Sequence, residues 1–194
     1  VYTTDPNLCS DARKIERISY DEMLELASLG AKVLQIRSVQ FAKKYNVDVH
    51  VRSSFNDNPG TLVTKEDKKM ESILVSGITY AKDETKIAVR RVPDKPGIAA
   101  SILLPLSDAN ISVDMIVQNV SEDGSTDFTF TVCKADFKKA LMITGEVAEK
   151  INARDIQTDE SIAKVSVVGL GMRSHAGVAT KMFQTLAKEG INIQ

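Results

Sequence analysis

The sequence predicts an α+β protein, and two observations carry that prediction. From Ile87 onward, alternating apolar runs and amphipathic helical patterns follow one another in the order βαββαβ, which is a split βαβ unit. Residues 87–113 also match residues 167–193 at a constant shift of 80 without a gap, and Gly97 aligns with Gly177. Two copies of one supersecondary unit give such a match. The second copy holds only a strand, a helix and the start of another strand, so we expect about half a domain to be missing from it.

The composition is that of an ordinary globular protein, with 194 residues of which 43% are apolar and 26% charged. The formal net charge of −1 gives no whole-molecule attraction to nucleic acid or to an anionic membrane. Cys9 and Cys133 have no neighbouring His or Cys, so we expect reduced cytoplasmic thiols and neither a metal site nor a disulfide. No apolar run reaches the roughly 18 residues of a membrane span, and the start carries no signal-peptide pattern.

The first 55 residues predict two helices and a strand. Ser19 and Glu22 form a capping box, in which each side chain satisfies a free backbone amide of the first helical turn. A second helix is predicted to reach about Tyr45, and the alternation of valines over 47–51 predicts a strand with one buried face. Residues 56–70 contain Asn-Asp-Asn-Pro-Gly followed by a charged run, which indicates a linker between domains.

The residues after the linker also predict alternating strands and helices. Strands at 73–80 and 87–92 are predicted to form a hairpin, and the repeat to which strand 73–80 belongs stays open. The remaining predicted elements are a helix over 97–109 interrupted by Pro105, strands over 113–120 and 128–132, a helix over 136–151 and a short strand at Ile156. The predicted domains are therefore 1–55, a linker at 56–70, a first repeat domain at 71–160 and the first part of a second at 161–194.

The turn from Val92 to Ala99 connects a strand to a helix and has the chemistry of an amino-acid site. Pro96 pre-sets the helical φ, and Gly97 allows a ligand to approach the backbone closely. Free amides at the helix start hold a carboxylate, and Asp94 beside them suits an ammonium group. The polar residues of 112–119 lie on the following strand, close to this turn. A strand-to-helix turn without a ligand remains the alternative interpretation of the same residues.

The sequence does not match the other motifs that would indicate a cofactor site or a catalytic site. Gly169 and Gly171 begin a glycine-rich turn, but the next glycine, Gly177, comes six residues after the second, so the dinucleotide-binding fingerprint is excluded. His50 and His175 have no partner evident in the sequence, which favours surface or turn positions. No nucleophile-base pair and no phosphate-binding loop is present, so the sequence contains no complete active site.

Several segments of the sequence resemble the aspartate kinase family. The segments at 1–6, 19–27, 30–34 and 51–55 resemble the C-terminal end of its catalytic domain, and those at 92–99, 114–120 and 169–178 resemble its paired ACT regulatory domains. The resemblance covers essentially the whole chain in order. It implies ferredoxin-like βαββαβ ACT domains, the second one incomplete, preceded by the C-terminal piece of an α/β amino-acid-kinase domain.

The resemblance implies transfer of the γ-phosphoryl group of ATP, with magnesium, to the β-carboxyl of L-aspartate, on the route to lysine, threonine and methionine. Tyr2 and Lys32 match family positions that contact ATP, and Val33 adjoins them. Asn7 stands where the family often has Arg, and Gln35-Ile36-Arg37 where it has His-Pro-Arg. The family's N-terminal Lys-Phe-Gly-Gly-Thr segment is absent, so we expect this chain alone to be inactive.

The resemblance also implies feedback inhibition by threonine, lysine or both, bound at interfaces between ACT domains. The positions that match the family's site are Asp94, Lys95, Pro96, Gly97, Ile98 and Ala99 at the helix start, Ser112, Val113, Asp114 and Gln118 on the strand, and Val178, Ala179, Asn192 and Ile193 in the second copy. Asp94 aligns with Ser174, which predicts that the two sites differ in affinity or ligand.

Two organisations follow from the resemblance. A homodimer can form through ACT domains, or the chain can pair with a regulatory subunit, for which Met70 would be an internal start. A freestanding ACT-type amino-acid sensor without kinase activity is the alternative function. The segment 1–55 favours the kinase, because a sensor alone does not need it.

Overall fold

The computed structural model describes residues 1–67, 70, 74–120, 124–173, 175 and 177–193. The chain forms two compact units. The discontinuous unit comprises Val1–Tyr80 and Val165–Gln194, and the inserted unit comprises Ala81–Lys164 between those two segments. None of the helices among the described residues combines the length and apolarity that a membrane crossing needs.

The discontinuous unit begins with a small three-stranded sheet. Its strands are β1 (Arg17–Ser19), β2 (Val49–Val51) and β3 (Thr61–Thr64), where β3 lies between β1, to which it is parallel, and β2, to which it is antiparallel. The first segment of this unit also contains the helices α1 (Tyr20–Ser28) and α2 (Ile36–Tyr45). The predicted capping box is confirmed at the start of α1. The core of this unit contains the fully buried side chains of Ile18, Met23, Leu26, Val39 and Val63.

Strand β4 (Gly77–Ala81) pairs with β9 (Lys164–Val168) in a separate two-stranded sheet. The predicted hairpin between 73–80 and 87–92 is therefore wrong, because the following strand is paired on both of its edges with other strands. The strand also begins later than predicted, and Ile73 lies outside the described residues. Because β9 is the first strand of the second repeat, β4 is paired with the second repeat and not with the first.

The inserted unit contains the order that the sequence predicts. Its elements are β5 (Glu84–Pro93), α3 (Ile98–Asp108), β6 (Val113–Val120), β7 (Ser125–Cys133), α4 (Phe137–Lys150) and β8 (Asp155–Asp159). The strands form one antiparallel sheet in the order β6-β7-β5-β8. This is the ferredoxin-like arrangement of a split βαβ unit, and it confirms the predicted fold class.

One face of this sheet makes the core of the inserted unit. Ile87 and Val89 on β5 are fully buried and lie opposite Phe130 and Phe128 of β7. Ile102 and the other buried residues of α3 and α4 cover the same face. Burying each such side chain contributes about 1.5–3 kcal/mol, so the alternation of apolar residues decides which face the helices cover.

The repeat is confirmed at the level of individual backbone atoms. Helix α5 (Val178–Lys188) has the same length as α3 and lies 80 positions later. Gly97 and Gly177 precede the two helices with φ values of 95° and 100°. The same hydrogen bonds recur at 2.9 Å, from Ser101 N to Gly97 O and Lys181 N to Gly177 O at the start, and from Ile111 N to Leu106 O and Ile191 N to Leu186 O at the end.

The strand predicted to begin near Ile191 is not observed. Residues 191–193 have no strand conformation, and Gln194 lies outside the described residues. A strand is defined by backbone pairing with a neighbour. Within the described part of the chain, residues 191–193 take part in none of the strand pairings.

Candidate effector and nucleotide sites

The start of α3 is an open helix terminus. Gly97 adopts a left-handed conformation, and nothing lies within 4 Å of the position that a Cβ would occupy, so backbone conformation and not space requires glycine here. Among the described residues, no side chain caps this helix, although the Ile98 N–H donates to Lys95 O at 3.3 Å. The free amides of the first turn and the helix dipole therefore favour an anion at this end.

Asp94 lies on the same turn and is exposed. Its backbone N–H donates to Gly124 O at 3.2 Å, which ties the turn to the connection between β6 and β7. Lys95 and Pro96 are exposed as well, while Ile98 and Ala99 pack against the core of the inserted unit. The structure thus places the six helix-start residues on one turn, where a helix end that favours an anion lies next to a carboxylate.

The predicted strand residues lie at and just before β6, which is an edge strand of the sheet. Ser112, Asp114 and Gln118 are exposed, and Val113 packs against the core. The pairing of β6 with β7 is irregular between Val113 and Ile116. Such an irregularity changes the direction in which side chains point.

Asp114 has a partner that the sequence did not predict. Its carboxylate accepts a hydrogen bond from the ammonium of Lys164, whose Nζ also lies 3.6 Å from Oε1 of Glu84. The side chains of Lys164 and Glu84 are each only 14% exposed. Burial works to lower the pKa of Lys164, but the hydrogen bond and charge of Asp114, together with Glu84, outweigh it and raise that pKa. No local pattern signals this cluster, because Lys164 lies 50 positions from Asp114.

Replacing Lys164 with methionine is expected to lower the free energy of unfolding by about 1–2 kcal/mol at pH 8, because a nearly buried Glu84 loses its cation. Folding raises the pKa of Lys164 above the ordinary lysine value of 10.5. The stabilisation by Lys164 is therefore complete below pH 10.5 and is lost as the pH rises through the pKa of the folded state. Urea unfolding at pH 8 and pH 11 measures both effects.

A matched control is Lys43→Met, which removes an exposed ion pair with Asp21. Exposed pairs contribute about 0–1 kcal/mol, so its effect is expected to be smaller. An equal loss for the two variants would show that Lys164 is an ordinary surface lysine.

The second repeat presents the same helix start with different surroundings. Val178 is half-buried, and Ala179, Asn192 and Ile193 are exposed. Ser174, the counterpart of Asp94, lies outside the described residues, so the predicted difference between the two sites stays a prediction. His175 lies in this turn, with Nδ1 2.9 Å from Gly171 O.

Strand β4 lies beside both segments that carry the predicted nucleotide residues. The Ile78 N–H donates to Thr3 O at 2.7 Å, next to Tyr2. Gly30, which precedes Lys32 and Val33, has φ 118°, and a Cβ on it would lie 2.8 Å from Tyr80 O. These two contacts bring the predicted nucleotide segments to one strand.

The three residues predicted to contact a nucleotide, Tyr2, Lys32 and Val33, are all exposed. An exposed tyrosine and an exposed lysine suit the base and phosphates of a nucleotide. Asn7, at the position where the family often has Arg, instead closes a turn, donating to Asp5 Oδ1 from its backbone N at 2.9 Å and from Nδ2 at 3.1 Å. Among the described residues, no group of three or more His, Cys, Asp or Glu side chains is placed to hold a metal ion.

Comparison with known families finds matches to three separate segments of the chain. A model of the amino acid kinase family matches residues 1–53, and models of the ACT domain match residues 87–149 and 165–194. The two ACT matches contain the two glycine-preceded helices, and the kinase match contains Tyr2, Lys32 and Val33.

Individual relatives match all or most of the chain. An aspartate kinase of Pseudomonas putida is 57% identical over 195 residues, which cover all of this chain and 47% of the relative. A crystal structure of aspartokinase alpha and beta subunits is 56% identical, covers 62% of this chain and 78% of that one, and superposes with a TM-score of 0.58. The aspartate kinase of Clostridium acetobutylicum is 26% identical, covers 100% of this chain and 44% of that one, with a TM-score of 0.89.

The fold, the duplicated helix start and these matches define an ACT-containing regulatory region joined to the end of an amino-acid kinase domain. The solved subunit structure is more than half identical, and most of its length is covered. The chain belongs to the aspartate kinase family. It spans about half the length of the curated relatives that it matches.

Proposed function

We propose that this chain is part of an aspartate kinase, which transfers the γ-phosphoryl group of ATP, with magnesium, to the β-carboxyl of L-aspartate. The reaction takes place in the cytoplasm, on the route to lysine, threonine and methionine. Within it, the chain binds feedback amino acids at its ACT repeats. The observation that carries the proposal is the duplicated helix start, built twice with a left-handed glycine 80 positions apart. The match of residues 1–53 to the kinase family supports the catalytic part of the proposal.

The chemistry of the first repeat fits a free amino acid. The first-turn amides of α3 hold the α-carboxylate, and Asp94 accepts from the α-ammonium. Threonine is favoured here over lysine, because its hydroxyl matches the neutral groups of Ser112 and Gln118. The ε-ammonium of lysine would have to compete with Lys164 for Asp114. In the second repeat, Val178, Ala179, Asn192 and Ile193 contribute to effector binding.

Binding regulates the kinase by changing the balance between two assembled states. An effector shifts that balance only by the difference between its affinities for the two states. We propose that the chain assembles through its ACT repeats, either as a homodimer or with a regulatory subunit, and that the effector stabilises the less active arrangement. Tyr2, Lys32 and Val33 contribute to the ATP site.

The test uses the longest reading frame that contains this chain. ATP-dependent phosphorylation of L-aspartate is measured with and without millimolar L-threonine and L-lysine. We expect phosphorylation of aspartate that at least one of the two amino acids inhibits. Phosphorylation of a different amino acid, or activity that neither amino acid changes, would contradict the proposal.

A further inference from the structure

Glu22 is almost entirely buried, at 4% exposure. Part of its environment is local. Its Oε2 accepts hydrogen bonds from the backbone N–H of Ser19 at 3.3 Å and from the Ser19 hydroxyl at 2.9 Å. The backbone contact is one half of the capping box of α1, and the other half is the Glu22 N–H, which donates to the Ser19 hydroxyl oxygen at 3.2 Å. The two contacts of Oε2 leave the second carboxylate oxygen for other partners.

The second oxygen binds two distant segments. Glu22 Oε1 accepts from the hydroxyl of Ser76, just before β4, and from the backbone N–H of Leu170 at 3.4 Å. Leu170 is the first residue of the short helix Leu170–Arg173 that follows β9. Ser76 in turn donates its N–H to Val168 O at 2.8 Å. One buried carboxylate therefore joins α1 to the beginning of β4 and to the turn that leads to α5.

The neighbouring packing fixes this turn against the rest of the discontinuous unit. Val168 is 1% exposed and belongs to the same core as Met23 and Leu26 of α1. A Cβ on Gly169 would lie 2.3 Å from the carbonyl oxygen of Leu74, so the backbone is in close contact there. The backbone that leads to Leu170 and helix α1 therefore share one packed core.

The other end of α1 leads to the proposed nucleotide residues. The Ala31 N–H donates to Leu26 O at 2.9 Å, and Lys32 and Val33 follow directly. A nine-residue helix is about 13 Å long. Packed secondary elements carry coupling between sites when they have two discrete arrangements. Helix α1 thus lies between the turn of the second repeat and the proposed ATP residues.

We propose that Glu22 is a positioning residue that couples the effector turn of the second repeat to the nucleotide residues through α1. The inference rests on the proposed function. The effector changes the position of the backbone at Leu170, and Glu22 transmits that change because its two oxygens hold the Leu170 N–H and the start of α1 together. Glu22 contacts neither the effector nor ATP in this account.

The test is Glu22→Gln in the longest reading frame that contains this chain. Glutamine keeps the side-chain length and still serves in a capping box, but it offers one acceptor oxygen in place of two. We expect kcat to stay unchanged without effector, while the effector concentration for half inhibition rises about tenfold, because coupling energies correspond to changes of this order. Calorimetry of the 194-residue chain is expected to show unchanged effector binding, which separates coupling from binding.

Ser19→Ala is the matched control. It removes the hydroxyl half of the capping box and leaves both partners of Oε1 in place. We expect it to lower stability by loss of a cap and to leave effector sensitivity unchanged. If Ser19→Ala loses sensitivity as Glu22→Gln does, the effect comes from the helix start alone and the inference is overturned.

The remaining outcomes are distinguishable. A parent enzyme that neither threonine nor lysine inhibits overturns the proposed function and the inference with it. A parent enzyme that is inhibited, together with a Glu22→Gln variant of equal sensitivity, overturns the inference alone. If Glu22→Gln does not fold, Ser76→Ala replaces it, because it removes only the hydroxyl donor to Oε1. Ser76→Ala is expected to reduce sensitivity, and unchanged sensitivity would overturn the inference.

Discussion

Replacing Gly169 with alanine is expected to lower the free energy of unfolding of the discontinuous unit by about 3 kcal/mol, the upper part of the range for overpacking. The new Cβ would lie 2.3 Å from the carbonyl oxygen and 2.9 Å from the carbonyl carbon of Leu74, and 2.9 Å from Cα of Val75. All three atoms are backbone, so no side chain can rotate away. The main chain at the end of β9 has to move instead.

Tyrosine fluorescence measures this effect on the correct unit. The chain has no Trp and four Tyr, at positions 2, 20, 45 and 80, all of which belong to the discontinuous unit. Urea unfolding followed by tyrosine emission is expected to move to lower urea in Gly169→Ala. An unchanged midpoint would mean that the turn after β9 is not packed against Leu74.

Gly145→Ala provides the matched control, because Gly145 lies within α4 and nothing is within 4 Å of its Cβ position. Alanine in a helix interior is expected to raise stability by about 0.5–1 kcal/mol. The gain is expected in circular dichroism, with no shift in the tyrosine transition. Destabilisation by both substitutions would point to a general intolerance of added volume.

Asp94→Ala is expected to weaken effector binding by about 10- to 150-fold, because a hydrogen bond between charged groups contributes roughly 1.5–3 kcal/mol. Its free energy of unfolding is expected to change by less than about 0.5 kcal/mol, since the residue is exposed. Titration calorimetry and urea unfolding of the same variant measure the two quantities.

The control for this change is Asp108→Ala, which removes an exposed carboxylate at the opposite end of α3. We expect it to leave effector affinity unaltered. Equal losses of binding for the two variants would indicate an effect of net charge. If Asp94→Ala lowered the free energy of unfolding as much as it lowered the free energy of effector binding, the result would support the alternative interpretation, a strand-to-helix turn that binds no ligand.

The sequence predicted the parts of the fold whose signals are local. Alternation of apolar residues over β7 and the glycine-preceded helices predicted the βαββαβ order and the repeat, because burial on one face requires that spacing. The choice of partner for β4 was predicted wrongly. That choice depends on which strand edge is open after the whole chain has folded, and no pattern within 73–92 encodes it.

In the candidate sites too, the sequence predicted the residues that lie close together in the chain and missed contacts between distant residues. The helix-start residues from Asp94 to Ala99 are contiguous, so the sequence was sufficient to bring them together. The Lys164 cluster was missed, because its members come from three distant strands. Glu22 was predicted in only one of its roles. Its capping partner is three residues away, whereas Ser76 and Leu170 are 54 and 148 positions away.

The central claim is that this chain binds feedback amino acids at the helix starts of its ACT repeats. Titration calorimetry of the 194-residue chain with L-threonine and with L-lysine tests it most directly, with L-leucine as a control that shares only the α-ammonium and α-carboxylate. We expect saturable heat from at least one of the two effectors and a strong reduction of that heat by Asp94→Ala. An absence of binding to both amino acids at millimolar concentration would contradict the claim.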